Sequence, residues 1–303
     1  MTKEYYSNGK LLLTAEYVIL DGAKGLALPT KFGQSLSLQT SNSENFIWNS
    51  LDEDDNIWFS SEFSKNNLKT IYTSDIHASN RLSQILLEAQ KLNPSFLPSS
   101  TDLNSAEAKL TFPRDWGLGS SSTLIANIAQ WADVNPYRLL AATFGGSGYD
   151  IACANHNTPI LYQRNEFEPT VSEVDFQPNF SDQLFFVYLN QKKNSRDAIN
   201  SYRNLDFDKP SLVSKINDIT YNILKCEDVQ EFGLLLNAHE AILSETLKIP
   251  TAKESLFSDY KGTIKSLGAW GGDFVLVVGS ESEMSYFKNK GYSTILSYKE
   301  MIL

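Results

Sequence analysis

Alternating or continuous runs of apolar residues predict strands along most of the chain. Residues 34–40 alternate apolar and polar side chains with a period of two, which is the repeat of a half-buried strand. Two short apolar runs flank the acidic turn Asp52–Asn56, and this arrangement predicts a hairpin. Other apolar runs are far too short to span a bilayer and are typical of buried strands. Strands are predicted at residues 10–14, 34–40, 46–48, 57–59, 108–112, 184–189, 274–278 and 292–297.

Apolar residues that recur every three or four positions predict helices between these strands. The stripe in residues 82–92 is one example, and Pro94 ends it. Helices are predicted at residues 82–92, 124–132, 211–225, 229–246 and 282–290, and polar connections at 94–105 and 163–182. Strands mixed with helices in this way predict an α+β protein of two domains, which we place at residues 1–165 and 166–303.

The composition narrows the class of protein. The 303 residues are 42% hydrophobic and 20% charged, as in ordinary globular proteins. A net charge of -10 argues against nucleic acid or an anionic membrane as a partner. Only two cysteines and an N-terminus without an apolar leader lead us to expect a cytoplasmic protein. Aromatic residues make up 12% of the chain, so a homodimer surface in the strand-rich N-terminal part is left open.

The strongest chemical signal is the segment Pro113–Thr123, where glycines and three serines stand directly before a predicted helix. Glycines allow a close backbone approach, and the amides of a helix N-terminus attract an anion. Serine hydroxyls can bind phosphate oxygens or a metal ion. The glycine spacing is neither that of a Walker loop nor that of a dinucleotide-binding loop. The segment therefore predicts a nucleotide phosphate site, and the alternative is a plain helix N-cap after a surface turn.

Three segments in chain order resemble the motifs of the GHMP small-molecule kinases. Gly9–Glu16 resembles their first motif, Pro113–Ser121 matches the second (Pro-x3-Gly-Leu-Gly-Ser-Ser), and Gly268–Asp273 approximates the third. The resemblance covers nearly the whole chain. It implies a two-domain α+β fold, with an N-terminal ribosomal-protein-S5-like domain that binds ATP and a C-terminal ferredoxin-like α/β domain. It also implies an ATP- and Mg²⁺-dependent kinase that phosphorylates a small molecule.

Details of the motifs favour one branch of this superfamily. Phosphomevalonate kinases typically read Gly-Glu-Tyr, and mevalonate kinases Gly-Glu-His, where this chain has Ala15-Glu16-Tyr17. The segment Gly146–Ala152 also looks like the phosphomevalonate kinase form, and Leu139 stands where mevalonate kinases carry a metal-binding glutamate. The resemblance thus implies a kinase of the mevalonate (isoprenoid) pathway that prefers phosphomevalonate to mevalonate. A galactose- or homoserine-type kinase, an ATP-dependent decarboxylase and a non-catalytic nucleotide-binding homologue are the alternatives.

The resemblance also assigns roles to single residues. Asp150 would accept a proton from the acceptor or orient its oxygen, and Lys10 would neutralise charge that develops on the transferred group. The simpler alternatives are a helix N-cap for Asp150 and a surface lysine at the start of a strand for Lys10. The ATP phosphates would be bound by Gly117, Leu118, Gly119, Ser120, Ser121 and Ser122, with Mg²⁺ on Ser121.

The acceptor would be bound by a second set of residues, namely Glu16, Tyr17, Ser147, Gly148, Lys192, Lys193 and Arg196, with Arg114 as a further candidate. The basic residues suit a substrate phosphate, although a solvated basic turn explains them equally well. Trp270 replaces a glycine of the third motif, so this loop cannot follow the usual backbone unless the φ of Trp270 is ordinary. The three scattered histidines are predicted to be surface or core residues rather than metal ligands.

Overall fold

The computed structural model describes residues 2–97, 103–165, 168–191, 195–268, 270 and 272–303, except for the side chains of 195–198. The chain forms two compact units, each built from segments that are not consecutive. The first unit comprises Met1–Gly9, Phe32–Arg114 and Leu118–Asn155, and the second comprises Lys10–Lys31, Asp115–Gly117 and His156–Leu303. The predicted domains, residues 1–165 and 166–303, are each continuous in sequence, and this division stays a prediction.

Strands and helices are both numerous, which confirms the α+β class. The strands are β1 Lys3–Leu12, β2 Lys24–Thr40, β3 Phe46–Leu51, β4 Ile57–Phe63, β5 Thr70–Thr73, β6 Leu103–Leu110, β7 Ile160–Gln163, β8 Thr170–Glu173, β9 Leu184–Tyr188, β10 Thr263–Ser266, β11 Phe274–Val278 and β12 Ile295–Ser297. The helices are α1 Ile76–Leu92, α2 Ser120–Ala132, α3 Pro136–Thr143, α4 Tyr149–Ala154, α5 Ser195–Arg203, α6 Lys209–Lys225, α7 Val229–Leu247, α8 Ala252–Leu256, α9 Met284–Asn289 and α10 Tyr298–Met301. Within the described residues, every helix is too short or too polar to cross a lipid bilayer.

In the first unit, strands pair in the order β5-β4-β3-β6-β2, with β2 contributing its residues 34–40. The β3–β6 pair is parallel and the other pairs are antiparallel. Helix α2 packs against α1, α3 and α4. The apolar faces of strands and helices form one core, which includes Trp48, Phe63, Leu86 and Ile128. This core supports α2 and α4, whose first turns carry predicted site residues.

In the second unit, residues 24–27 of β2 pair with β7, and β7 pairs with β8, both antiparallel. A separate antiparallel sheet has the order β10-β11-β9-β12. Helix α7 packs against β10 and α6. Val187, Phe257, Val275 and Phe287 belong to the core of this sheet. Strand β10 is at one edge of this sheet, and its residues 264–266 are buried.

The apolar pattern predicts most of these elements, with corrections at several places. The hairpin β3–β4, the helices α1, α2, α6 and α7, and the strands β9 and β11 are confirmed. Residues 103–105 were expected in a loop but start β6, and β8 lies inside the predicted connection 163–182. The strand predicted at 10–14 is the end of β1, and the strand predicted at 292–297 is shorter. The sequence analysis did not predict the short strands β5, β7 and β10 or the helices α3, α4, α5, α8 and α10.

Candidate active site

The predicted phosphate loop ends at the N-terminus of α2, in the first unit. Gly119 is the N-cap of this helix and has a left-handed backbone, with φ 94°. Because the cap is a glycine, no cap hydrogen bond uses a serine hydroxyl. Ser120 is half-buried, Ser121 is exposed and Ser122 is buried. The first turn of a 13-residue helix therefore presents amides and an accessible hydroxyl, the combination that binds phosphate.

Asp150 lies in the first turn of α4, in the same unit. Gly148 is the N-cap of α4, with φ 89°, so the structure rules out the alternative that Asp150 is the cap. The Ser122 hydroxyl donates a hydrogen bond of 3.3 Å to Asp150 Oδ2. Asp150 Oδ1 is buried and accepts no hydrogen bond from the described residues. A buried carboxylate oxygen without a donor is costly unless something binds it, so this atom points to a ligand.

Lys10 lies on β1 in the second unit and is only 8% exposed, so it is not a surface lysine. Its Nζ donates a hydrogen bond of 3.1 Å to the carbonyl oxygen of Gly117. The first motif is thereby tied to the start of the phosphate loop. Lys10 and Asp150 belong to different units, and the Ser122–Asp150 and Lys10–Gly117 contacts each lie within one unit.

Gly117 must be a glycine for two reasons. Its φ is 68°, in the left-handed region that favours glycine. A Cβ atom at Gly117 would also lie 2.3 Å from Cγ of Asp273, the last residue of the third motif. The backbone of the phosphate loop thus packs directly on the Asp273 carboxylate, which would have to move to admit a side chain at position 117.

Trp270 does not have an ordinary backbone. Its φ is 26°, in a region that is costly for a bulky residue. The indole is buried, and its Nε1 donates a hydrogen bond of 3.1 Å to the carbonyl oxygen of Pro250. Burial and this hydrogen bond stabilise the strained residue, so the loop keeps a left-handed backbone where the related motif has glycine.

A buried cluster of charged side chains contacts the first motif, and the sequence did not predict it. Lys265 Nζ on β10 lies 2.5 Å from Glu16 Oε1 and 3.2 Å from Glu240 Oε1. His239 and Glu240 are neighbours on α7, and His239 Nε2 accepts a hydrogen bond of 2.9 Å from the Ala15 amide. Lys265 and His239 are completely buried, and Glu16 is 2% exposed.

The cluster holds more negative than positive charge. Burial, followed by the charge of Lys265, lowers the pKa of His239 well below its ordinary value, so this imidazole is neutral. One ammonium then faces two carboxylates. Burial raises the pKa of Glu16 to about 7, and Glu240 adds to the rise, while Lys265 opposes it. Glu16 is therefore the carboxylate that takes up a proton near neutral pH.

We expect the free energy of unfolding to fall as the pH rises from about 4.5 to about 7. Over this range the folded protein keeps a proton on Glu16 that the unfolded chain releases, since the pKa is raised from 4.5 to about 7. The loss amounts to about 3 kcal/mol, because each pKa unit corresponds to about 1.4 kcal/mol. Urea unfolding at several pH values should show this slope in the wild type and lose it in Glu16→Gln. An unchanged slope in that variant, with the exposed Glu245→Gln as control, would contradict the assignment.

The structure describes some of the other residues predicted to bind the acceptor. Tyr17 is half-buried with φ 62°, and its ring centroid lies 5.6 Å from that of Tyr202. Ser147 and Gly148 directly precede α4. Lys192 and Lys193 lie outside the described residues, as does the side chain of Arg196, whose backbone belongs to α5. The Arg114 guanidinium lies 3.6 Å from the centroid of the Trp58 ring. Roles in acceptor binding stay predictions for all of them, and for Glu16.

Known structures share this fold over almost the whole chain. Mevalonate kinase from Methanococcus jannaschii has a TM-score of 0.68 at 15% identity, with 98% of this chain and 97% of that chain covered. Galactokinase from Lactococcus lactis, complexed with galactose, has a TM-score of 0.68 at 13% identity, with 98% and 92% covered. Phosphomevalonate kinase from Streptococcus pneumoniae, in complex with phosphomevalonate and AMPPNP, has a TM-score of 0.65 at 14% identity, with 97% and 99% covered.

The sequence comparisons give no such relative: no protein-family model and no curated protein matches the chain. The resemblance therefore rests on the motifs and on the shared architecture. Identities of 13–15% establish the fold and do not identify a substrate. The chain has the two-domain α+β fold of the GHMP kinases.

Proposed function

We propose that the protein is an ATP-dependent kinase that phosphorylates an acceptor of the mevalonate pathway, with phosphomevalonate preferred to mevalonate. The observation that carries the kinase assignment is Asp150, whose buried Oδ1 has no hydrogen-bond donor among the described residues and whose Oδ2 contacts Ser122 of the phosphate loop. A proton-accepting carboxylate beside a phosphate-binding helix N-terminus suits phosphoryl transfer. The preference for phosphomevalonate rests on the Glu16-Tyr17 and Gly146–Ala152 segments.

The residues of the chain divide the work of the reaction. The amides of Gly117–Ser122 bind the β- and γ-phosphates of ATP and hold them in place. The acceptor oxygen forms a bond to the γ-phosphorus as the bond to ADP breaks and ADP leaves. Asp150 accepts the proton of that oxygen or orients it. Lys10 supplies a fixed positive charge, and its bond to the Gly117 carbonyl keeps the loop in place. Because the transition state gathers charge on the transferred group, such fixed charges accelerate the step.

The residues present fit Mg²⁺ as a partner of the nucleotide. Within the described part of the chain, no three His, Cys, Asp or Glu side chains come together to hold a metal ion. Magnesium does not need such a cage, since one or two protein oxygens and the substrate phosphates suffice. The exposed Ser121 hydroxyl and the buried Asp150 Oδ1 are the groups that would hold it. When bound, Mg²⁺ neutralises charge on the phosphates.

Release of ADP tests the proposal directly. Purified protein with ATP and Mg²⁺ should release ADP with phosphomevalonate, more slowly with mevalonate, and not with galactose or homoserine. Turnover with mevalonate alone would overturn the predicted preference, and release of carbon dioxide would indicate a decarboxylase. Nucleotide binding without turnover across the panel would favour a non-catalytic protein. A sugar kinase is the second candidate, because the galactokinase matches this fold with a TM-score of 0.68.

Arg196→Ala should separate the two substrates. If Arg196 binds the phosphate of the acceptor, the loss of a charge-assisted hydrogen bond should raise KM for phosphomevalonate about tenfold or more. KM for ATP should stay within about twofold of wild type. Arg203→Ala is the matched control, because Arg203 is an exposed residue at the other end of α5. Equal changes in both KM values would contradict the role.

A further inference from the structure

Lys265 is a completely buried lysine held by several polar contacts. Its Nζ lies 2.5 Å from Glu16 Oε1 and 3.2 Å from Glu240 Oε1, and it donates a hydrogen bond of 2.7 Å to the carbonyl oxygen of Ser266. Two of the three ammonium protons are donated in hydrogen bonds, to Glu16 and to Ser266, and the ion pair with Glu240 adds a third contact. Glu240 is in turn held by the Ser266 hydroxyl, at 2.9 Å from its Oε2. Lys265 is completely buried, and these contacts hold its ammonium group in place.

The segment that Lys265 reaches is strained. Ala15 and Tyr17, on either side of Glu16, have φ values of 70° and 62°. Left-handed backbone costs free energy at residues other than glycine, so surrounding contacts must hold it. Two contacts do so within the second unit: the Ala15 amide donates to His239 Nε2, and the Glu16 carboxylate pairs with Lys265. The backbone of Ala15–Tyr17 is thus anchored to α7 and β10 through buried polar groups.

We propose that Lys265 is a positioning residue of the kinase site, which holds Glu16 and through it the Ala15–Tyr17 segment in the conformation that binds the acceptor. The proposal deepens the proposed function and rests on it, because Glu16 and Tyr17 are its predicted acceptor residues. Lys265 itself does not touch the substrate. Glu240 supports this role, because it holds Lys265 between its own carboxylate and that of Glu16.

The same contacts couple acceptor binding to pH. Among the described residues, the titratable groups that act on Glu16 are Lys265 on β10, His239 and Glu240 on α7, and the neighbouring Tyr17. The Lys265–Glu16 ion pair requires an ionised Glu16, so protonation should loosen the segment and raise KM for the acceptor. Because Glu240 raises the pKa of Glu16, its removal should move this transition to lower pH, whereas removal of Lys265 abolishes the ion pair and with it the transition.

Four variants test the proposal: Lys265→Met, Lys265→Arg, Glu240→Gln and the control Glu245→Gln, an exposed residue on the same helix. KM for phosphomevalonate and for ATP is measured from about pH 5.5 to about pH 8.5. Lys265→Met should raise KM for the acceptor about tenfold or more and leave KM for ATP within about twofold. Lys265→Arg should recover part of the loss. The rise in acceptor KM at low pH should shift to lower pH in Glu240→Gln and should be absent in Lys265→Met, which lacks the ion pair at every pH.

A purely structural role gives a different result, since it changes kcat and both KM values together and leaves the pH transition in place. That result in Glu240→Gln or Lys265→Arg would overturn the proposal, even if Lys265→Met does not fold. Amide hydrogen exchange in residues 13–20 provides a test that needs no substrate. The rise in exchange at low pH should shift to lower pH in Glu240→Gln and stay in place in Glu245→Gln, so that at low pH Glu240→Gln exchanges about tenfold more slowly. Wild-type exchange would overturn the positioning role, whereas a wild type that turns over no acceptor would overturn only the proposed function.

Discussion

Asp150→Asn should release ADP more slowly than the wild type by a factor of about 10² to 10⁴, the usual contribution of a general base. The substitution keeps the size of the side chain. It also keeps an oxygen that can accept the hydrogen bond from the Ser122 hydroxyl, which is 3.3 Å long in the wild type. It removes the charge and the ability to take up a proton. Because it removes a negative charge from a partly buried site, the folded state should be about as stable as in the wild type.

The measurement combines initial rates with two checks on the folded protein. Nucleotide affinity, measured with a fluorescent ATP analogue without Mg²⁺, should stay within about twofold, because the amides of the loop are untouched. Asp133→Asn is the matched control: Asp133 is exposed and left-handed at the opposite end of α2, where asparagine is equally suited. Wild-type turnover in Asp150→Asn, with both checks satisfied, would refute the catalytic role.

The backbone of the glycine-serine loop and the helix that follows it could be predicted because they are local features, while phosphate binding and the role of Asp150 stay predictions. Glycines with left-handed backbone at positions 117, 119 and 148 and the start of α2 directly after the serines depend on neighbouring residues alone. The periodic helices and the alternating strands are local in the same sense. Their confirmation shows that patterns over about ten residues carry most of the fold.

The buried cluster could not be predicted in this way, since Glu16 and Lys265 are 249 positions apart and a lone lysine or glutamate is usually exposed. One signal was present in the sequence of α7. Glu240 falls within the apolar stripe formed by Leu236, Leu243 and Leu247, all of them buried. A charged residue on the core face of a helix requires a buried partner. The position of that partner, on a strand the sequence did not predict, follows only from the tertiary structure.

Gly117→Ala should lower the free energy of unfolding more than a glycine-to-alanine change at a left-handed position that has open surroundings. A φ of 68° alone costs an alanine about 1–2 kcal/mol. The added Cβ would lie 2.3 Å from Cγ of Asp273, a distance that real atoms do not tolerate, so loop or carboxylate must move. Overpacking of this kind adds about 1–3 kcal/mol. Because the loop binds phosphate through its backbone amides, KM for ATP should also rise about tenfold or more.

Gly145→Ala isolates the cost of the backbone alone. Gly145 has φ +66°, almost the value of Gly117, but a Cβ there would meet nothing within 4 Å. Urea unfolding of both variants gives the clash as a difference between two free energies of unfolding. Combined with Gly117→Ala, Asp273→Gly should remove the clash and restore the stability lost to it. Glycine suits position 273, because Asp273 has φ 55°. A double-mutant cycle should give a coupling of about 1–3 kcal/mol. Equal costs at Gly117 and Gly145, with no coupling to Asp273, would mean that the carboxylate does not support the phosphate loop.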